Sequence, residues 1–232
     1  MNQTLSGILL INKPKGPTSH QIVHKIRTFF NIKKVGHTGT LDPIASGLLI
    51  ILIGKTTKKF AQFLNFKKTY LLEIEFGKKT ETGDSEGKII ESIKQIPNIS
   101  QDLLNKKLQS FIGKFSQKIP IFSAKKINGQ KLCDLARKNK SPNKVFKKPV
   151  EIYSIKIIKY FWPRVLLKIS CASGTFMRQL AIDIGDNLNI PSYAKNITRL
   201  SIGKFKLAQS VTLNQLIKEK LIKKFIIKDT SF

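Results

Sequence analysis

The chain is poor in cysteine, histidine and acidic residues. Its 232 residues include two cysteines, three histidines and 14 Asp and Glu, against 42 Lys and Arg. Cys133 and Cys171 are far apart in the sequence. This spacing fits no common metal site, so we predict no metal centre. Two cysteines serving as core residues fit a reducing compartment, and we expect a cytoplasmic protein.

Several other features are absent. The apolar run at residues 47–54 is far too short to span a bilayer, and the N-terminus does not resemble a signal or transit peptide. We find no P-loop, no dinucleotide-binding fingerprint and no serine on a nucleophile elbow. His20 and His24 are four residues apart without the glutamate of a metalloprotease motif, which favours surface or structural roles.

The excess of basic residues is the strongest compositional feature. A formal net charge of +28 attracts polyanions, so nucleic acid is the first partner to consider. An anionic membrane surface is the alternative, but no cationic helix has a fully apolar face, and we expect no membrane binding. An AT-rich genome would also raise the lysine content. Arginine occurs only five times, and where lysine is the usual cation, Arg178 and Arg199 indicate a need for the planar guanidinium.

Hydrophobic periodicity predicts interspersed helices and strands. Strands are expected at 7–12, 48–53, 69–77, 151–162, 164–172 and 197–205, and helices at 18–31, 56–64, 101–112, 173–188 and 213–226. Ser19 is the expected N-cap of the first helix. Residues 78–89 are expected to form a polar loop, and Asn128-Gly129 a tight turn. The order predicts an α+β fold with a mixed, largely antiparallel sheet.

One carboxylate stands in an unusual place. Asp42 lies in the stretch KKVGHTGTLDPIASGLL, residues 33–49, together with His37 and three glycines. Glycines allow close approach of a partner, and Asp42-Pro43 restrains the turn. A carboxylate aimed in this way can act as a nucleophile or a base. The spacing alone favours a simpler interpretation, in which Asp42 forms an Asx turn that only stabilises the loop.

This stretch resembles the signature of the TruB family, the tRNA pseudouridine-55 synthases. Other segments resemble further blocks of that family in the same order. They are LLINKPKGPTSHQIV (9–23), KTYLLEIEFGKKTETGDSEGKI (68–89), PIFSAKKINGQKLCDLARKNK (120–140), CASGTFMRQLAIDIG (171–185) and ITRLSIGKF (197–205). Because the blocks span residues 7–216, the resemblance covers almost the whole chain.

The resemblance implies an activity and a fold. Members isomerise a uridine in the T-loop of tRNA: N1 leaves C1′, the base turns, and C5 bonds to C1′. This reaction needs no cofactor. The implied fold is the pseudouridine synthase fold, a mixed sheet flanked by helices with a basic cleft, over residues 1–207. Residues 208–232 would be a C-terminal helical extension without a complete PUA domain. We expect a monomer whose partner is the tRNA T stem-loop.

The resemblance also assigns roles to individual residues. Asp42 falls on the essential aspartate, which attacks C1′ or removes a sugar proton. His37 falls on a histidine that packs against displaced bases. Arg178 matches an arginine that pairs with the aspartate or a phosphate. The remaining substrate-binding matches are Lys13, Tyr70, Phe176 and Leu200.

The residue pattern alone also permits simpler roles for several of these positions. Tyr70 and Leu200 fit strand core positions, and Arg178 fits an ion pair on a helix surface. Two positions depart from the family pattern, since Phe176 and Cys133 each stand where tyrosine is common. Phe176 keeps a ring but has no hydroxyl.

Two other functions remain open at this point. A noncatalytic RNA-binding protein would keep the charge without needing Asp42, Tyr70 and Arg178 to meet in one cleft. A pseudouridine synthase acting on ribosomal RNA, or on a second tRNA position, would have the same motifs.

Overall fold

The computed structural model describes residues 5–123, 125–127, 129–137, 145–219 and 222–227. The α-helices are α1 (Ser19–Phe29), α2 (Phe60–Leu64), α3 (Gln101–Gln109), α4 (Leu132–Arg137), α5 (Met177–Asn187), α6 (Leu213–Glu219) and α7 (Ile222–Phe225). The strands are β1 (Gly7–Lys13), β2 (Val35–His37), β3 (Ala45–Ile53), β4 (Lys68–Phe76), β5 (Lys78–Thr80), β6 (Ile89–Ser92), β7 (Gly113–Lys118), β8 (Lys126–Ile127), β9 (Gln130–Lys131), β10 (Lys147–Phe161), β11 (Arg164–Cys171), β12 (Ser192–Ile202), β13 (Phe205–Lys206), β14 (Val211–Thr212) and β15 (Ile226–Ile227).

Short 3-10 helices at Gly54–Lys59 and Leu207–Gln209 complete the described elements. The chain divides into two compact units, the described parts of Met1–Tyr70 with Thr198–Phe232, and Leu71–Ile197. Both divisions fall inside strands, in β4 and in β12. Across the described residues, no helix combines the length and the apolar character that crossing a membrane requires.

The first unit is built around β1 and β3, which pair antiparallel from Gly7↔Ile53 to Lys13↔Gly47. β2 also pairs with β3, and β14 and β15 pair with β1. Because β3 has covered surfaces on both sides, residues 48–53 are all at most 1% exposed. One side of this sheet contributes a continuous apolar core of Ile8, Leu10, Leu48, Ile50, Leu52, Phe63, Ile202 and Phe205.

Helix α1 begins one residue earlier than its predicted cap implies. Thr18, not Ser19, is the N-cap. Counted from Thr18, Gln21 is the third residue of the helix, the position whose side chain can complete a capping box. The Thr18 hydroxyl accepts from the Gln21 amide at 3.1 Å, and the Gln21 side chain accepts from the Thr18 amide at 2.7 Å. Ser19 is buried and its hydroxyl bonds elsewhere, so the prediction of Ser19 as the cap was wrong.

The second unit carries the strand order β12-β4-β11-β10-β7, with antiparallel registers such as Ile155↔Ile169 between β10 and β11. β4 alternates buried and half-buried residues along its length, as its sequence predicts. Helix α5 lies beside α3 and β7. Its buried stripe includes Met177, Leu180, Ala181 and Ile184, as predicted, whereas Leu188 is the half-buried C-cap.

The α+β prediction with a mixed, largely antiparallel sheet is confirmed, since β1–β14 is parallel and the other registers described are antiparallel. Some element predictions were wrong. The polar 78–89 loop begins and ends in the paired strands β5 and β6. The described parts of the C-terminal helix predicted at 213–226 are α6 and α7, but Ile226 lies in β15 instead of in a helix. Asn128 of the predicted tight turn lies outside the described residues.

Residues of the predicted C-terminal extension belong to the first unit. Val211 and Thr212 pair parallel with β1, and Ile226 and Ile227 pair antiparallel with it. The boundary at residue 207 remains a prediction.

Candidate active site

The segment that carries Asp42 connects β2 to β3. Their antiparallel pairing ends at His37↔Ile51, and the Thr38 amide donates to the Ile50 carbonyl at 3.1 Å. The Ala45 amide then donates to the Asp42 carbonyl at 3.0 Å, which closes a tight turn. We call residues 38–45 the Asp42 turn. The Asp42 side chain is half-exposed. Burial in the interior would have excluded a chemical role, and the structure does not show it.

Buried side chains anchor the Asp42 turn next to the carboxylate. The Ser19 hydroxyl accepts from the Leu41 amide at 2.8 Å and donates to the Leu41 carbonyl at 3.2 Å. On the other side, the Pro43 carbonyl accepts from the Gly16 amide at 2.9 Å and lies 3.5 Å from the Lys13 ammonium. Together these contacts fix the backbone immediately before and after Asp42.

Lys13 is fully buried, with 0% of its surface exposed. Its ammonium donates to the Pro14 and Pro17 carbonyls, at 2.8 Å each. The structure therefore places Lys13 against the Asp42 turn, with no exposed surface for the substrate contact that the resemblance implies.

Arg199 of β12 holds the turn from another strand. Its guanidinium is 1% exposed and donates to the Gly39 carbonyl at 3.1 Å, the Thr40 carbonyl at 3.4 Å and the Leu48 carbonyl at 2.7 Å. The two backbones also approach closely here. A Cβ added to Gly47 would lie 2.4 Å from the Arg199 carbonyl oxygen, and the Gly47 φ of +103° favours glycine.

His37 lies at the start of this turn and is half-buried. Its Nδ1 atom is buried and has no hydrogen-bond partner among the described residues. Burial is the main cause that lowers the pKa of His37, and the charges of Arg199 and His20 lower it further. A neutral imidazole with a partly accessible face can pack against an aromatic base.

Two further predicted residues of this unit lie on strands. Tyr70 of β4 is buried at 8% exposure, as the core interpretation of its pattern expects. Leu200 follows Arg199 on β12 and is half-buried. Because strand side chains alternate, Leu200 points to the opposite side from Arg199, the side of Thr198, whose hydroxyl bonds to Ser46 at 3.1 Å.

The second unit holds Arg178, in the first turn of α5. Arg178 is 5% exposed, so the alternative of a surface ion pair is wrong. Its guanidinium donates to the Thr82 carbonyl at 2.8 Å and the Phe122 carbonyl at 2.7 Å, and its Nε lies 3.5 Å from an Asp84 carboxylate oxygen. The pairing of Arg178 with Asp42 remains a prediction, as does the meeting of both with Tyr70 in a basic cleft.

Phe176 immediately precedes α5, and its backbone is clamped by a buried amide. The Phe176 amide donates to Gln117 Oε1 at 2.9 Å, and Gln117 Nε2 donates to the Phe176 carbonyl at 3.1 Å. The ring is half-buried, and the Lys148 ammonium lies 5.0 Å from its centroid. Burial lowers the pKa of Lys148, and the nearby charge of Lys125 lowers it further.

Sequence reasoning missed several supporting residues. Asp84 and Gln117 support Arg178 and Phe176, but neither carries a recognisable signal of its role. Ser19 was interpreted as a helix cap. Arg199 could have been found, because the scarcity of arginine already pointed to it, although that observation assigned it no contact.

Comparison with known proteins finds relatives that match most of this chain. Residues 27–177 match the family model described as "TruB family pseudouridylate synthase (N terminal domain)". The chain is 42% identical to the tRNA pseudouridine synthase B of Clostridium kluyveri over 96% of this chain and 76% of that protein. It is 39% identical to the enzyme of that name from Clostridioides difficile, over 91% of this chain and 70% of the relative. The corresponding protein of Aquifex aeolicus is 40% identical over 98% of this chain and 79% of its own length.

Solved structures share the fold. A chain of a Cbf5–Nop10–Gar1 complex superimposes with a TM-score of 0.73 at 24% identity, over 94% of this chain and 55% of that one. A chain of an H/ACA RNP bound to a substrate RNA containing 2′-deoxyuridine gives 0.70 at 23% identity, over 96% of this chain and 56% of that one. This chain thus spans a little over half the length of those solved chains. The likeness confirms the predicted fold, and the matched family model together with the relatives shows that the chain belongs to the TruB family of pseudouridylate synthases.

Proposed function

We propose that this chain isomerises one uridine in the T-loop of tRNA, at position 55, to pseudouridine. The observation that carries the proposal is the half-exposed Asp42 on a turn whose backbone is anchored on both sides. Membership of the TruB family, relatives named tRNA pseudouridine synthase B and a net charge of +28 support it.

The reaction is a rearrangement within one nucleotide. The N1–C1′ bond breaks, the detached base rotates within the site, and a C5–C1′ bond forms. C5 then loses its proton and N1 carries one, so atoms and electrons balance without an oxidant, a reductant or a cofactor. Asp42 attacks C1′ or removes a proton from the sugar, and its carboxylate suits either role. The anchored turn holds it at a constant position relative to the ribose.

The other predicted residues bind and orient the extruded nucleotides. His37, Tyr70 and Phe176 present rings against which bases stack. Arg178 pairs with an anion, either the Asp42 carboxylate or a phosphate. Leu200 lines the base pocket. The resemblance predicts Lys13 as a binding residue, but Lys13 is fully buried and supports the site through the Pro43 carbonyl of the Asp42 turn.

The proposal includes the setting of the enzyme. Its partner is the folded T stem-loop of tRNA, to which the basic surface adds phosphate attraction that weakens with salt. It acts as a monomer in the cytoplasm without a cofactor or a metal ion.

The test is the Asp42→Asn substitution, assayed by release of tritium from tRNA labelled at C5 of uridine. We expect a loss of at least about 10³-fold in rate, while the affinity for tRNA changes by less than about threefold. Asp102→Asn, which changes an exposed carboxylate in α3, serves as the control and retains full activity. Undiminished release by the Asp42 variant would refute the assignment.

A transcript with cytidine at position 55 tests the choice of nucleotide. We expect no tritium release from it. Release at the normal rate would show that the enzyme acts on a different uridine of the tRNA and would contradict the choice of position 55.

A further inference from the structure

The buried guanidinium of Arg199 has an unusual set of partners. Its three hydrogen bonds go to backbone carbonyls, those of Gly39, Thr40 and Leu48. No carboxylate among the described residues forms a salt bridge with it. A buried charge costs free energy unless it is well coordinated. The arrangement therefore concentrates a full positive charge on a short stretch of backbone.

The three carbonyls bracket Asp42. Gly39 and Thr40 come just before it in the sequence, and Leu48 follows it on β3. Arg199 thus ties the first half of the Asp42 turn to β3, the strand that follows the turn. Ser19 and Lys13 reach the same turn through single residues, Leu41 and Pro43. Only an arginine has a planar fork that can donate to three carbonyls at once.

The backbone of Arg199 is itself held in place. Its carbonyl lies so close to β3 that only glycine fits at position 47. The Arg199 side chain therefore starts from a fixed point on β12. A small change in the length or shape of this side chain displaces the carbonyls that it holds.

We infer that Arg199 is a positioning residue for Asp42: its guanidinium joins the first half of the Asp42 turn to β3 and sets the carboxylate for reaction. The inference deepens the proposed function and rests on it. Arg199 contacts no reacting atom and acts only through the backbone. A second consequence follows from its charge, which lowers the pKa of the neighbouring His37 imidazole and favours its neutral form.

The experiment compares Arg199→Met with Arg199→Lys in the full chain. We expect Arg199→Met to lower the single-turnover rate by about 10–100-fold, because small misplacements of a reacting group have effects of this size. The Kd for tRNA changes by less than about threefold, since the substrate does not contact Arg199. Arg199→Lys keeps the charge without the fork, so the rate stays low while the pKa of His37, followed by NMR, remains near its wild-type value. In Arg199→Met that pKa rises.

Amide hydrogen exchange provides a readout that does not depend on activity. The amides of Thr38, Leu41 and Ala45 are hydrogen-bonded within or next to the turn. We expect all three to exchange faster in both Arg199 variants, while amides in the centre of β3 keep their protection.

Lys68→Met is the matched control. Lys68 is also buried in the first unit, and its ammonium donates to the Leu64 and Phe66 carbonyls, outside the Asp42 turn. We expect it to lower stability and leave the single-turnover rate within about twofold of wild type. Equal losses in Lys68→Met and Arg199→Met would overturn the inference, because any buried cation would then have the same effect.

The outcomes separate this inference from the proposed function. A folded Arg199→Met protein with the wild-type rate overturns the positioning role while Asp42→Asn remains inactive. An active Asp42→Asn protein overturns the proposed function, and hydrogen exchange then decides whether Arg199 orders the turn. If Arg199→Met does not fold, Arg199→Lys decides: a rate more than about fivefold lower supports the inference, and a rate within about twofold overturns it.

Discussion

The two units hold their buried arginines in different ways. In the first, Arg199 donates to three backbone carbonyls and thereby orders a turn. In the second, Arg178 combines two carbonyls with the Asp84 carboxylate. A guanidinium held by a carboxylate is itself fixed by charge, whereas one held only by carbonyls fixes the backbone that provides them. Arg178 is therefore a side chain held in place by its partners, whereas Arg199 is a side chain that holds a segment of backbone in place.

The largest expected effect is the loss of stability when Arg178 loses its carboxylate partner. Asp84→Ala removes the anionic partner of Arg178 and also the acceptor of bonds from the Thr82 hydroxyl and the Glu86 amide. Because a buried guanidinium is left without its carboxylate, we expect the free energy of unfolding to fall by about 3–5 kcal/mol. Urea titration measures it. Glu86→Ala removes an exposed carboxylate from the same loop and should change stability by less than about 0.5 kcal/mol; similar losses in the two variants would show that Asp84 has no special role.

A smaller effect is expected when the close approach of the Arg199 backbone to Gly47 is disturbed. Gly47→Ala places a Cβ 2.4 Å from the Arg199 carbonyl oxygen, at a φ of +103°. Strain and overpacking together should lower the free energy of unfolding by about 2–4 kcal/mol. Gly36→Ala is the control, since a Cβ there meets no atom within 4 Å, and we expect a change of less than about 0.5 kcal/mol. If both variants unfold at the wild-type urea concentration, the close approach of β3 and β12 is not needed.

The smallest effect concerns pH and the charge of Arg199. The pKa of His37 lies below its ordinary value of 6.5, chiefly through burial. The unfolded chain therefore binds this proton at a higher pH than the folded chain does. The stabilising contribution is present above pH 6.5 and is lost as the pH falls below that value towards the folded pKa.

His37→Asn should remove this loss. We expect the stability of the variant to fall less than that of the wild type between about pH 7 and about pH 5, with a difference in slope below the one-proton limit of about 1.4 kcal/mol per pH unit. Parallel urea titrations at the two pH values measure the difference. Identical slopes would mean that His37 titrates alike in the folded and unfolded states.

The sequence predicted the strands best where neighbouring residues carry a clear period. β4 alternates along its length, and β3 is a continuous apolar run, so both are placed correctly to within a few residues. Boundaries were less accurate where two residues compete for one role. Thr18 and Ser19 can both cap a helix, and the choice depends on Gln21 and on the position of Leu41. The C-terminal helix was predicted to continue to residue 226 because its lysines and apolar residues keep a helical period, yet Ile226 pairs with β1.

The amino-acid sequence by itself determined the family and its class of chemistry, and it predicted which groups carry that chemistry. The patterns behind these conclusions are local: Asp42 in a glycine-rich turn, the arginines in a lysine-rich chain and the ordered family blocks. Such patterns involve residues close together in the sequence, so they can be identified without the structure. Only the tertiary structure decided which groups hold the site together. Ser19 meets a residue 22 positions away, Arg178 one 96 away and Arg199 one 160 away. Hydrogen-bond partners at such separations are set by how the strands and helices pack, and no periodicity along the chain encodes them.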